Sequence, residues 1–242
     1  MQYAQKMPAV VAAAAAVTAL AVSGCSSNSN TKDHAASVSS VAAHASPSSA
    51  ASGPNKLAPP SMPDSSGPNY TIADYIRDQH ITEIPVHNGD AGVPSVRLPM
   101  PAGWQDAGPD TPDYATDAIT YTGPEAQNSN YTPNIVLLMS QLQGQVDPQQ
   151  IIGNAGGEMK NLPGFSEIGQ GAVTQVSGYP AYRIAGTYDL EGLPAVTAQE
   201  TIVIPGAGGL YVMQLNATGN ENQADVLQAA IHTIDDQIRI TP

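Results

Sequence analysis

One cysteine, Cys25, stands in a chain of 242 residues. No intramolecular disulfide can form, so any domain must be held by its apolar core, and a thiol-rich metal site is excluded as well. Apolar residues make up 41% of the chain, enough for such a core. The cysteine follows an apolar run over residues 7–22, almost all Ala and Val, with Lys6 before it. A membrane-spanning helix needs roughly 20 apolar residues. This run is shorter and has the proportions of a signal-peptide core.

Val22-Ser23-Gly24-Cys25 resembles the bacterial lipobox, an aliphatic residue and two small ones before an obligatory cysteine. Small residues fit the peptidase cleft, and the thiol is the nucleophile that takes a diacylglycerol. Residues 1–24 are therefore expected to be a lipoprotein signal peptide. Cleavage makes Cys25 the new amino terminus, able to take a further acyl chain such as palmitate. Two or more chains anchor a protein stably, at about 0.8 kcal/mol per buried CH₂. The expected location is the outer face of the cell membrane.

From Ser26 to Pro68, 27 residues are Ser, Ala or Pro. This stretch lacks aromatics and apolar periodicity, and reads with Cys25 as a disordered tether over 25–68. A coil of that length spans on the order of 35–40 Å. Beyond it, residues 69–242 hold five Lys and Arg against 19 Asp and Glu. Nucleic-acid binders need clustered cations, and docking on anionic lipid uses polybasic segments; both classes are excluded. The acidity reads as a solubility device.

Residues 69–242 read as one α+β domain: an antiparallel sheet covered by helices on its faces. Thr71-x-x-Asp74 forms a capping-box start for a helix to about His80. Asp147 and Pro148 open a second helix with a stripe of Ile151, Ile152, Ala155 and Met159, ending before Pro163. A third runs from Glu221 to about Asp236 with Ala224, Leu227, Ile231 and Ile234 inward. Extended stretches are expected at 84–86, 93–98, 119–122 and 135–142. Hairpins follow over 172–188, with a turn at 177–180, and over 196–215, with a turn around Pro205-Gly206. Residues 105–117 read as a polar loop.

Gly164-Phe-Ser166-Glu-Ile-Gly169 has one residue too many for a nucleophile elbow, and reads as a loop serine. His80, Glu83, His87 and Asp90 could offer zinc ligands, but Pro85 intervenes and the spacing fits no motif; a helix end and a turn are expected, with no metal. Asp106, Asp110, Asp113 and Asp117 lack the alternate ligands and central Gly of a calcium loop. Pro205-Gly-Ala-Gly-Gly209 reads as a hairpin turn, because a phosphate loop needs a following helix. Arg183 is expected to pair with Asp189 or Glu191.

Six segments carry a family resemblance: Gly67-Pro-Asn-Tyr-Thr-Ile-Ala-Asp-Tyr-Ile-Arg-Asp78, Pro85-Val-His87-x-Gly89-Asp90, Leu98-Pro-x-Pro-x-x-Trp104, Lys160-Asn-Leu-Pro-Gly-Phe165, Gln214-Leu-Asn-Ala217 and Ile240-Thr-Pro242. In that order they resemble the LpqN family of mycobacterial lipoproteins. The resemblance implies a fold similar to the photosystem subunit PsbP, a sheet sandwiched by helices (α/β/α). It also implies a non-enzymatic role linked to the mycolate-rich envelope, with no cofactor and no catalytic residue to carry over. The expected function is a tethered binding or accessory module for an envelope lipid or glycolipid, or for an export or assembly protein. The alternative is a protein-binding scaffold without a small ligand. An alkyl chain would need an apolar sheet face, expected from Ile135, Leu137, Ile184, Ile202 and Val212.

Overall fold

Residues 67–127 and 129–242 are described by the structure, a computed structural model. The expected signal peptide, Cys25 and nearly all of the tether lie outside the described residues. Among the described residues no helix is long and apolar enough to cross a membrane.

The first helix, α1 (Ile72–Asp78), is fixed by its cap. The Thr71 hydroxyl accepts from the Asp74 amide at 3.0 Å, and the Asp74 carboxylate accepts from the Thr71 amide at 3.0 Å. These bonds satisfy two otherwise orphaned backbone donors. His80, in the left-handed region at φ 54°, turns the chain away. Short segments follow: β1 (Thr82–Pro85), β2 (Ser95–Arg97), β3 (Trp104–Asp106), β4 (Asp117–Tyr121) and α2 (Pro124–Gln127). The polar stretch 105–117 is thus only partly a loop, since its ends are ladder residues paired as Asp106↔Ile119 and Asp117↔Leu137.

After β5 (Asn134–Gln143) the expected second helix appears as two, α3 (Pro148–Asn154) and α4 (Gly157–Lys160). Packing explains the break. A Cβ on Gly157 would stand 2.1 Å from the Tyr70 carbonyl oxygen, and one on Gly156 would meet the Tyr182 ring at 3.1 Å. These glycines let the segment lie against its neighbours, while Ile151, Ala155 and Met159 keep their inward positions.

The rest is sheet: β6 (Ser166–Glu167), β7 (Ala172–Val176), β8 (Tyr179–Leu190), β9 (Leu193–Gly206) and β10 (Gly209–Asn220), then α5 (Ala224–Gln237) and β11 (Arg239–Thr241). Two hairpins turn where consecutive residues have positive φ, Ser177-Gly178 and Glu191-Gly192, as a type I′ turn requires. The third turns at Ala207-Gly208 rather than around Pro205-Gly206, because Pro205 stays in the ladder opposite Leu210. The nine-stranded sheet runs β3-β4-β5-β10-β9-β8-β6, with β1 also on β5 and β7 also on β8. All its pairings are antiparallel, and β11 closes on β2 in a separate ribbon. The chain is an α+β domain dominated by this sheet.

Side chains alternate across a strand, so each strand of the middle serves two faces. One face carries the large core: Ile135, Leu137, Ile202, Ile204 and Met213 under Leu227, Ala230 and Ile234 of α5. Fully burying a Leu or Ile contributes about 1.5–3 kcal/mol. On α5 Ala230 takes the inward place expected of Ile231, which is only half-buried. The opposite face holds three smaller clusters. One gathers Ile72, Tyr75, Ile76 and Ile151; another Met159, Leu162, Ile184 and Tyr188; the third Ala107, Ala115, Ala118 and Val136. The apolar set expected to share one face is therefore divided. Ile135, Leu137 and Ile202 lie under α5, whereas Ile184 and Val212 belong to the other face.

Where the chain enters the domain it is clasped to α4. The Asn161 side chain accepts from the Asn69 amide at 3.0 Å and donates to the Asn69 carbonyl at 2.8 Å.

Candidate functional site

On the face with three clusters, a polar strip crosses the middle of the sheet. The register sets Asn134, Thr218 and Thr197 in one row and Val136, Asn216, Gln199 and Ile184 in the next. Leu138, Gln214, Thr201 and Tyr182 form a third row. Along β9 and β10 the inward positions are thus Thr, Gln and Asn, although helices and a loop cover the face around them. Asn134, Thr197, Gln199, Thr201 and Thr218 are each no more than 2% exposed. Leu138, Ser140, Gln214 and Asn216 are half-buried, so solvent reaches the strip there.

Part of the strip is internally bonded. Gln199 Nε2 donates to Asn216 Oδ1 at 3.0 Å, and Gln214 Nε2 donates to Glu158 Oε2 at 3.3 Å. Other atoms have no hydrogen-bond partner among the described residues: Glu83 Oε2, Asn134 Oδ1, Gln199 Oε1, Thr218 Oγ1 and Tyr188 Oη, with Asn154 Nδ2 at the end of α3. A buried polar atom left unmet costs about 1–3 kcal/mol, and native interiors keep few of them. A group of them on one sheet face is what a hydrogen-bonding guest would satisfy.

Two carboxyl groups border the strip. Burial pushes the Glu158 carboxyl up; hydrogen bonds from Gln214 and Gln199 pull it back, and Glu83 and Asp74 add repulsion. Burial likewise raises Glu83, partly offset by a hydrogen bond with Ser140. Tyr188 is raised by burial, and Tyr131 is pushed up to about 12 for the same reason. Tyr131 Oη accepts from Asn134 Nδ2 at 3.0 Å. The strip thus sets a row of oxygen-bearing side chains between the apolar clusters of this face.

The residues singled out in the sequence stand elsewhere. His87 and Asp90 form a tight exposed turn, the His87 amide donating to Asp90 Oδ2 at 2.8 Å. Among the described residues no group of three or more His, Cys, Asp or Glu could hold a metal ion. Of the former quartet only Glu83 faces the strip, because it pairs with Leu142 on that face. Asp106 bonds the Gly108 amide and Asp117 the Ala118 amide, serving their own backbone. Ser166 lies in an edge strand. Arg183 does not reach for Asp189 or Glu191; it bonds Glu200, directly opposite on β9, and Asp235 of α5 at 2.9 Å. A shallow concavity lies on the α5 side, between Pro101, Trp104 and Tyr121 and Val226, Ala229 and Thr233.

Comparison with known proteins gives a consistent result. The family model described as Probable lipoprotein LpqN matches residues 68–241. Lipoprotein LpqN of Mycobacterium tuberculosis is 43% identical over 176 residues, 73% of this chain and 76% of that protein. The solved structure described as LpqN involved in cell envelope biogenesis of Mycobacterium tuberculosis matches with a TM-score of 0.68 and 43% identity. It covers 73% of this chain and all of that one. The Proline-rich 28 kDa antigen of Mycobacterium tuberculosis is 27% identical over 175 residues, 71% of this chain and 54% of that protein.

Proposed function

The chain belongs to the LpqN lipoprotein family, and from that premise we propose that it is a membrane-anchored envelope lipoprotein working as a non-enzymatic binding or accessory module in cell-envelope lipid or glycolipid handling. Its anchor is the acylated Cys25, and its place the outer face of the membrane. The relatives are named as lipoproteins and an antigen, and one solved relative is described as involved in cell envelope biogenesis. The sandwich of the PsbP kind is part of this reading; clusters with helices on both faces of the sheet support it.

The observation that carries the reading is the polar strip. A hydroxyl-rich head group would satisfy the unmet oxygens of Gln199, Thr218, Asn134 and Tyr188, while an alkyl portion would lie along the flanking apolar clusters. The acidic surface disfavours anionic phospholipid, which leaves neutral glycolipids as cargo. Calorimetry and native mass spectrometry against neutral mycolyl glycolipids and phospholipids test this. Stoichiometric binding of a glycolipid, weakened by Gln199→Ala, is the expected result. No binding to any of them, together with capture of an export or assembly protein, would favour the scaffold alternative; the shallow concavity beside Trp104 and Tyr121 would then be the surface to mutate.

A further inference from the structure

On the α5 side of the sheet, two acids and one cation meet where helix and strands touch. Arg183 of β8 donates through Nε to Oε1 of Glu200, its cross-strand neighbour on β9, and its Nη2 stands 2.9 Å from Oδ1 of Asp235 on α5. Both acids are drawn in, the Glu200 side chain 7% exposed and that of Asp235 15%. The guanidinium aligns with Glu200. Asp235 Oδ1, although close to it, accepts no hydrogen bond among the described residues. Around them β7 sets Ala172 beside Arg183 and β10 sets Leu215 beside Glu200, while α5 adds His232 and Asp236 near Asp235. One guanidinium for two carboxylates leaves a net negative charge away from water, which is unfavourable, and one buried acceptor lacks a donor. A single proton removes both deficits.

We propose that Glu200 and Asp235 share one proton, and that this proton fastens the end of α5 to the sheet. Glu200 Oε1 accepts from Arg183, so the proton sits on Oε2 and is donated to Asp235, whose charge then faces the guanidinium in a neutral cluster. Burial pushes the Glu200 carboxyl up to about 7, with Arg183 pulling it back and Asp235 adding repulsion. Asp235 is raised too, by burial first, with Arg183 opposing. When the proton leaves to solvent, two carboxylates face one guanidinium and Asp235 is driven outward. Buried Ile238 and then β11, which pairs with β2, follow it in the chain. In the opened state Glu200 meets water and returns to its ordinary value of 4.5. The fastening is therefore complete below that value, weakens as pH rises from it, and is gone by about 7. It lies on the sheet face opposite the strip, since side chains alternate along β9, and does not depend on the guest proposed there.

The test is amide hydrogen exchange read by mass spectrometry on the full chain in nanodiscs of neutral phospholipid, corrected for the intrinsic pH dependence of exchange. Protection of the peptide covering 231–241 should be lower than that of β5. It should also fall more steeply, by up to about tenfold per pH unit between about pH 5 and about pH 7, and level off above. Glu200→Gln supplies a permanent donor in place of the proton and should remove this excess slope while keeping the end of α5 protected at about pH 8. Asp235→Asn, which removes the second carboxylate, should also remove the slope and decides the matter if Glu200→Gln does not fold. His232→Asn, which removes the imidazole near Asp235, should leave the slope in place. An end of α5 that loses protection only in step with β5 overturns the proposal, as does a slope that survives in Glu200→Gln or Asp235→Asn. A slope lost in His232→Asn would assign the effect to the imidazole and overturns it as well.

Discussion

Asp74 and Glu158 are both acids drawn out of solvent, and burial raises each. Their neighbours decide the outcome. For Asp74 the Thr71 amide and the Arg77 guanidinium outweigh burial and hold the carboxyl below its ordinary value. Its stabilisation is present above that ordinary value and is lost as pH falls through the lowered one. Glu158, Glu83 and Glu200 are all raised, burial being the largest cause in each. A folded chain that holds these protons more tightly than the unfolded chain loses stability as pH climbs. The loss begins near the ordinary glutamate value of 4.5 and continues upward through the raised values. Tm measured by scanning calorimetry from about pH 5 to about pH 8 should therefore fall, and Glu158→Gln should make the fall shallower. A Tm that rises through that window would contradict the burial of these groups.

At the level of elements, the glycines around α3 and α4 separate backbone propensity from packing. A Cβ on Gly153 meets nothing within 4 Å, whereas one on Gly157 would run into the Tyr70 carbonyl. Gly153→Ala should stabilise the domain by about 0.5–1 kcal/mol through helix propensity and reduced unfolded-state entropy. Gly157→Ala should cost about 1–3 kcal/mol, as overpacking does. Urea denaturation of the two variants checks the opposite signs. The Thr71 cap, the Asp147-Pro148 start and the turn at Ser177-Gly178 were legible in the sequence because each is specified by residues next to one another. The helix break at Gly156-Gly157 was not, since its cause is a carbonyl some 87 positions away. Nor was the polar strip. Gln214 and Asn216 alternate with Leu215 and Ala217, and Gln199 and Thr201 flank Glu200, as on a strand facing water, and only cover from distant helices and a loop turns them inward. The one available signal was a mismatch: enough amphipathic helix to cover both faces, but a Thr, Gln and Asn side on β9 and β10.

For the whole molecule, the anchor proposed at Cys25 can be tested apart from the described domain. Cys25→Ala should leave the protein without acyl chains and move it out of the membrane fraction, since no described helix could hold it there. Fractionation with mass spectrometry of the amino-terminal peptide reads this, and an unacylated chain that stays with the membrane would overturn the role given to Cys25. The clasp between Asn69 and Asn161 also has a mechanical side. Any pull on the preceding chain enters the domain at this clasp, before it can load α1 or the sheet. Asn161 directly follows α4, one turn beyond Glu158, so the helix that receives the load is the one that carries an acid of the strip. In the reading proposed above, a pull entering at Asn69 and a guest on the strip would thus bear on the same four-residue helix.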